Sequence, residues 1–170
     1  MLAPDKWFDR EFDLGLQDQM FPLVMTRLRG TPARLEDMLR GVSNVRMLYR
    51  EGTTWSVQEH VGHILDSEEL WLGRVEDFVN RRSELRPADL QNNKTYHANH
   101  HLHDMNQILR EFRRARIWLV QALENCDHAL LKHTALHPRL NKQMRLVDHA
   151  FFVAEHDDHH LAVIHSLLHR

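Results

Sequence analysis

The stretch "WSVQEHVGHILDSEELWLGRVEDFVNRR", Trp55 to Arg82, runs without a proline behind a Ser56 and Glu59 pair spaced as a capping box. It predicts one long helix from near Ser56 to near Arg82. Glycine and proline number six and five in the whole chain and leave other stretches of this kind, which favours helices over many short strands. Thr31-Pro32 reads as an N-cap with proline at the first helical position, followed by Leu35, Met38, Leu39 and Val42 at helical spacing. A first core helix is therefore expected from about Thr31 to about Val42, broken from an earlier segment around Phe21 to Leu28. A third helix is expected from about His101 to Glu124, with Met105, Ile108, Phe112, Ile117, Leu119 and Leu123 mainly on one broad face. A last helix is expected from about Leu146 to His169.

Between the second and third helices lies "SELRPADLQNNKTYHANHH", which is polar, holds Pro87 and lacks periodicity. It reads as a long crossover connection able to wall a pocket. A second connection, "CDHALLKHTALHPRLNKQ", leads to the last helix. The expected class is all-α: a four-helix bundle with a long crossover loop after helix two, whose ligand sites would be built from inward side chains of facing helices. The 170 residues fit a single domain, 1–170, with an N-terminal extension of about 1–20.

Charge narrows the function classes. Lysine and arginine total 22 against 24 acidic residues, which provides no basic footprint for nucleic acid. No apolar run approaches a membrane span, and "MLAPDKWFDREFD" lacks the apolar middle of a signal peptide, so a cytoplasmic protein without membrane partners is expected. One cysteine, Cys126, excludes an intramolecular disulfide and any multi-cysteine metal site; it reads as a small apolar filler.

Histidine is abundant, at 15 residues, and it is the commonest metal ligand. His156 and His160, in "EHDDHH", sit four apart, which on a helix places them on one side a turn from each other. With His149 and Val153 they form a ridge along the edge of the apolar side of the last helix; Asp157 leans inward, and Asp158 and His159 face solvent or a flank. Two imidazoles rarely hold a divalent ion tightly, so a third ligand from another helix is required. His60 and His63 on helix two are both candidates, and spacing does not choose between them. Gly62 between them leaves a spot free of side chain where another group can approach. The HExxH protease motif is absent. The group His97, His100, His101 and His103 reads as an exposed cluster, and Trp55, Trp71 and Trp118 as core or pocket wall.

Two stretches resemble the DinB/YfiT-like superfamily: "TTWSVQEHVGHILDSEELWLGRV", with a histidine eight residues after the tryptophan, here Trp55 to His63, and "AEHDDHHLAVIHSLL", with its His-x-x-x-His pair. "RPADLQ" and "LHPRLNKQMRL" add to the likeness, which covers most of the chain from about Thr31 onward. The resemblance implies a four-helix bundle holding a divalent metal, variously nickel, zinc or iron, on His63, His156 and His160. It also implies a homodimer. Thiol-transferase members tend to follow the final ligand with Arg-Gly-Gln, whereas this chain has Leu161-Ala162-Val163, a departure that counts against a low-molecular-weight thiol.

Three neutral imidazoles would leave an open position for water or substrate, the arrangement of a catalytic site. The expected function is a metal-dependent enzyme activating a thiol or water for transfer to, or hydrolysis of, a small organic substrate. Asp157, Glu59 and Asp66 are candidate outer carboxylates, and His149 and Asp157 are the candidate catalytic groups for moving protons. The competing expectation is a non-catalytic bundle in which metal or packed histidines contribute stability or dimer formation.

Overall fold

Ser56 opens its helix through the reciprocal cap its sequence predicts. Its hydroxyl accepts the Glu59 amide at 3.3 Å, and the Glu59 carboxylate accepts the Ser56 amide at 2.9 Å. The computed structural model describes residues 5–169. In chain order the helices are α1 (Phe21–Met38), α2 (Asn44–Leu48), α3 (Val57–Val79), α4 (Asn93–Ala98), α5 (Met105–Glu124) and α6 (Leu146–Leu168). A hairpin of β1 (Thr134–His137) and β2 (Lys142–Arg145) precedes α6. The four long helices form the expected bundle: α1 and α3 each pack against both α5 and α6. No helix among the described residues is long and apolar enough to cross a membrane.

The break expected before Thr31 does not occur. α1 runs through Pro32 without interruption. A proline inside a helix removes the hydrogen bond to the carbonyl four residues back, which here belongs to Leu28. Arg116 of α5 donates to that carbonyl from Nη1 at 3.2 Å. A partner across the bundle thus replaces the bond that Pro32 cannot make. Thr31 is no cap; it is fully buried and its hydroxyl donates to Asp157 Oδ2 at 2.8 Å.

This contact belongs to a polar layer with one residue from each long helix. Thr31, Glu68, Arg116 and Asp157 are each at most 4% exposed. Arg116 donates to Glu68 (Nη2 to Oε1, 2.5 Å) and to Asp157 (Nη2 to Oδ1, 3.0 Å). Apolar clusters lie on either side of the layer, one including Leu28, Phe78, Leu119 and Phe152, the other Leu35, Ile64, Phe112 and Ile164. Sliding α3, α5 or α6 by a turn would strand a buried charge, and sliding α1 would take the Thr31 hydroxyl from Asp157, so the layer favours one register of the four.

The connections carry more structure than their composition suggests. The crossover after α3 contains α4 and a 3-10 turn at His100–Leu102, so α5 begins at Met105, capped by Asp104, rather than at His101. Leu85 and Leu136 then tie the crossover to β1 (Leu85 amide to Leu136 carbonyl, 3.0 Å). The second connection holds the hairpin, in which Ala135 and Met144 face each other, fully buried. α3 stops at Val79 rather than Arg82, because Arg81 adopts the left-handed conformation (φ 53°). Ile117 and Trp118 are half exposed, at 50% and 56%, so the apolar face of α5 is narrower than expected and Trp118 is neither core nor pocket wall. Arg114 covers its ring instead.

The N-terminal segment packs onto α6. Phe12 is buried against Phe152 (ring centroids 4.9 Å), and Asp148 takes the amides of Gly15 and Leu16 at 2.7 and 2.9 Å. Cys126 is partly buried beside the core, as a filler would be, and burial pushes its thiol pKa up.

Candidate metal centre

The run "EHDDHH" divides by direction. Glu155 and Asp158 point toward α1 and the N-terminal segment, where Arg27 bonds to both (2.6 and 2.5 Å) and Arg10 adds a second partner to Glu155. Asp157 points into the polar layer. His156 and His160 point at α3, which brings up His63.

One ring nitrogen from each of His63, His156 and His160 lies within 4.8 Å of the others. His63 Nε2 and His156 Nε2 are 3.2 Å apart. Metal–nitrogen bonds of about 2.0–2.1 Å at tetrahedral angles separate two ligand nitrogens by about 3.3 Å, so this pair already stands at ligand spacing. The remaining ring nitrogens are oriented from outside. Thr95, at the middle of α4, meets His63 Nδ1 at 3.1 Å, and His60 Nδ1 meets His160 Nδ1 at 2.9 Å, which leaves His160 Nε2 available. Such outer partners set tautomer and ring angle. His60 and His63 therefore take different places: His63 is in the cluster, and His60 stands behind His160. His156 Nδ1 is buried without a partner among the described residues.

Burial governs the protonation of these rings. It pushes His63 and His60 down to about 4, with the neighbouring imidazoles adding to the effect for His60. His156 and His160 are held well below the usual imidazole value, again by burial first and by the adjacent rings second. At neutral pH the rings are uncharged and their lone pairs are free to bind a cation. The donor set thus fits a divalent ion with three nitrogens and an open coordination position.

The cluster forms one end of a cavity of about 450 Å³. Trp55 and Trp71 are walls, as expected: Trp55 packs 4.9 Å from the His63 ring and Trp71 5.2 Å from the His156 ring. Trp7 adds a third wall, edge-on to His156 at 5.1 Å. Gly62 gives the close approach expected of it, but to a residue of this chain: the His100 ring lies where a Cβ would stand, 2.2 Å from its ideal position. His100 is consequently buried, unlike His97, His101 and His103, and its Nε2 bonds Asp66 at 2.8 Å.

Other candidates have different places. Asp157 is bound to Arg116 and Thr31 and does not line the cavity. His149 is fully buried behind Trp71, with its Nε2 on the Trp71 carbonyl at 3.1 Å, and it also lies off the cavity. Neither reaches the histidine cluster, because the inward side of α6 is wider than the cavity, and the residues to either side of the His156–His160 ridge pack against helices. Glu59 is occupied by its cap and by Arg50. Sequence reasoning did not identify Thr95, Trp7, His137 or Arg139, which line the cavity from short elements or connections without periodicity, nor Arg74, a charged residue on the inward side of α3.

A sequence model of the DinB superfamily matches residues 27–164. The chain belongs to the DinB superfamily. Among solved structures, YfiT from Bacillus subtilis, described as a probable metal-dependent hydrolase with an unusual four-helix bundle topology, is similar to it in fold: TM-score 0.81 at 17% identity, covering 93% of this chain and 91% of that one. No curated protein sequence matches the chain. The DinB match spans α3 and nearly all of α6, the two helices that supply the three histidines, while Trp7 lies before it.

Proposed function

We propose that this DinB chain is a metal-dependent hydrolase of small organic substrates, with His63, His156 and His160 holding a divalent ion. The observation that carries the reading is the convergence of three neutral imidazoles from two helices, within 4.8 Å, at the end of an aromatic-walled cavity. A packed histidine cluster with only a structural role needs no such cavity. A divalent ion bound there would lower the pKa of a bound water to about 7 and polarise a substrate oxygen.

The chain's own residues do the rest. Thr95 and His60 fix the rings of His63 and His160. Trp55, Trp71 and Trp7 exclude bulk water and present flat apolar surfaces to a substrate. Asp66 lines the cavity and holds His100, a carboxylate–imidazole pair placed to accept a proton near the cluster. Water is favoured over thiol as the attacking group because Leu161-Ala162-Val163 supplies no polar group after the final ligand.

Elemental analysis of untagged protein and its His63→Ala variant, both dialysed against a weak chelator, tests the assignment. About one ion per chain in the parent and little in the variant is expected. Equal metal content in both would remove the ligand set. Parent protein that binds metal but shows no turnover of an ester and amide panel would replace the hydrolase with a structural metal site.

A further inference from the structure

Away from the histidines, the same cavity ends on arginine. Arg74 of α3 is 1% exposed and, among the described residues, no carboxylate bonds to it. Its Nε donates to the Arg86 carbonyl at 3.1 Å and its Nη1 meets His137 Nε2 at 2.9 Å, while Nη2 is buried with no partner among the described residues. Arg139, in the hairpin turn, also has a buried Nη2 without a partner among the described residues, and its guanidinium lies among the rings of Trp7, Phe8 and Phe152. Both arginines line the cavity. A buried guanidinium without an anion is costly, and such charges are normally paired.

The acids nearby are committed elsewhere. Asp77 is held by Arg86 (2.9 and 3.0 Å), Asp66 by His100, and Glu69 by Lys94. Asp89 accepts the amides of Gln91 and Asn93. His137 adds no acceptor for Arg74 Nη2, since its two nitrogens already face Arg74 Nη1 and the Leu140 amide. Burial brings Arg74 down to about 10 against the pull of Asp77, with the neighbouring Arg139 and Arg86 adding to the fall, so it is still charged at neutral pH.

We propose that Arg74 and Arg139 are the anion-binding end of this cavity and take the carboxylate of a small substrate whose reactive group reaches the histidine cluster. The Trp71 ring is a neighbour of both groups, with Arg74 Cζ 5.6 Å from its centroid and the His156 ring 5.2 Å from it. Guanidinium N–H groups suit the oxygens of a carboxylate, and the aromatic walls suit an organic body. The substrate class rests on the preceding reading, which makes the histidines the reactive end; the anion site itself does not.

Tryptophan fluorescence provides the readout, because three tryptophans line the cavity. Benzoate, its neutral isostere benzamide and inorganic phosphate are titrated into the parent, Arg74→Met, Arg139→Gln and His63→Ala proteins, as purified and after chelation, with metal content measured on each sample. Benzoate should bind at least about tenfold more tightly than benzamide in parent protein, chelated or not, and each arginine variant should erase that preference while keeping its metal. Arg139→Gln is the safer variant for folding, since Arg139 is only partly buried. Equal binding of benzoate and benzamide would overturn the proposal. So would benzoate binding that vanishes on chelation yet survives in both arginine variants, because the carboxylate would then sit on the metal. Phosphate binding more tightly than benzoate would overturn the carboxylate assignment. Arginine-dependent benzoate binding with unchanged metal content in His63→Ala would uphold this site and dismiss the metal reading instead.

Discussion

Leu28 has a carbonyl that its own helix cannot use, because Pro32 offers no amide four residues on. Arg116 supplies the missing donor and uses its other N–H groups on Glu68 and Asp157. Two carboxylates and a guanidinium this deeply buried are strongly interdependent: burial pushes Glu68 up to about 7, against the pull of Arg116. Arg116→Met should therefore cost about 3–5 kcal/mol, since it leaves Glu68 and the Leu28 carbonyl without a donor and Asp157 with Thr31 alone. Denaturant unfolding should show the loss as a lower midpoint at unchanged slope. A loss under about 1 kcal/mol would mean that the layer is solvated or easily rearranged. Arg116 was visible in the sequence as an arginine between Phe112 and Leu119 on an apolar face, yet Thr31-Pro32 read locally as a helix start. Local chemistry could not reveal that a donor from another helix allows Pro32 inside α1.

The long helices were legible because 3.6-residue periodicity accumulates over five or more turns, and the Ser56–Glu59 box marked its terminus to the residue. β1 and β2 have four residues each, too few for a period to register. His156 and His160 were readable as a pair from spacing, whereas the choice of His63 over His60 came only from resemblance, since the two are separated by less than one turn. The N-terminal segment, read as an extension, supplies a wall of the site. Trp7 rests on His156 and on His159 (5.7 Å), and Asp148 latches the segment through Gly15 and Leu16. Trp7→Ala should cost about 1–2 kcal/mol in stability and speed metal release to a competing chelator, without changing metal stoichiometry. Asp148→Ala, which touches no histidine of the cluster, should speed release in the same direction by unlatching the segment. Unchanged release in both variants would show that the segment covers the core and does not cover the site.

Across the whole molecule, buried neutral histidine sets the response to pH. Burial holds His149 and His137 down to about 3, with nearby Arg74 adding to both, and His60 and His63 at about 4. Unfolded imidazoles titrate near 6.5, so between about pH 6.5 and 4 the unfolded chain binds more protons than the native one. These groups contribute their stability in full above about 6.5 and lose it as pH falls toward their folded values. The slope is at most about 1.4 kcal/mol per pH unit for each histidine. Glu68 acts in the opposite direction, because a carboxyl raised to about 7 binds its proton in the native state, but it is one group against four. Unfolding midpoints of chelated protein should therefore drop steeply from pH 7 to 5, and metal-loaded protein should drop more steeply still, as protons compete for the ligand nitrogens. Equal slopes with and without metal would mean that the ion is not held by imidazole. A flat profile for the chelated protein would mean that water reaches these histidines, and with it the dry interior on which both the metal and the carboxylate assignments depend would be lost.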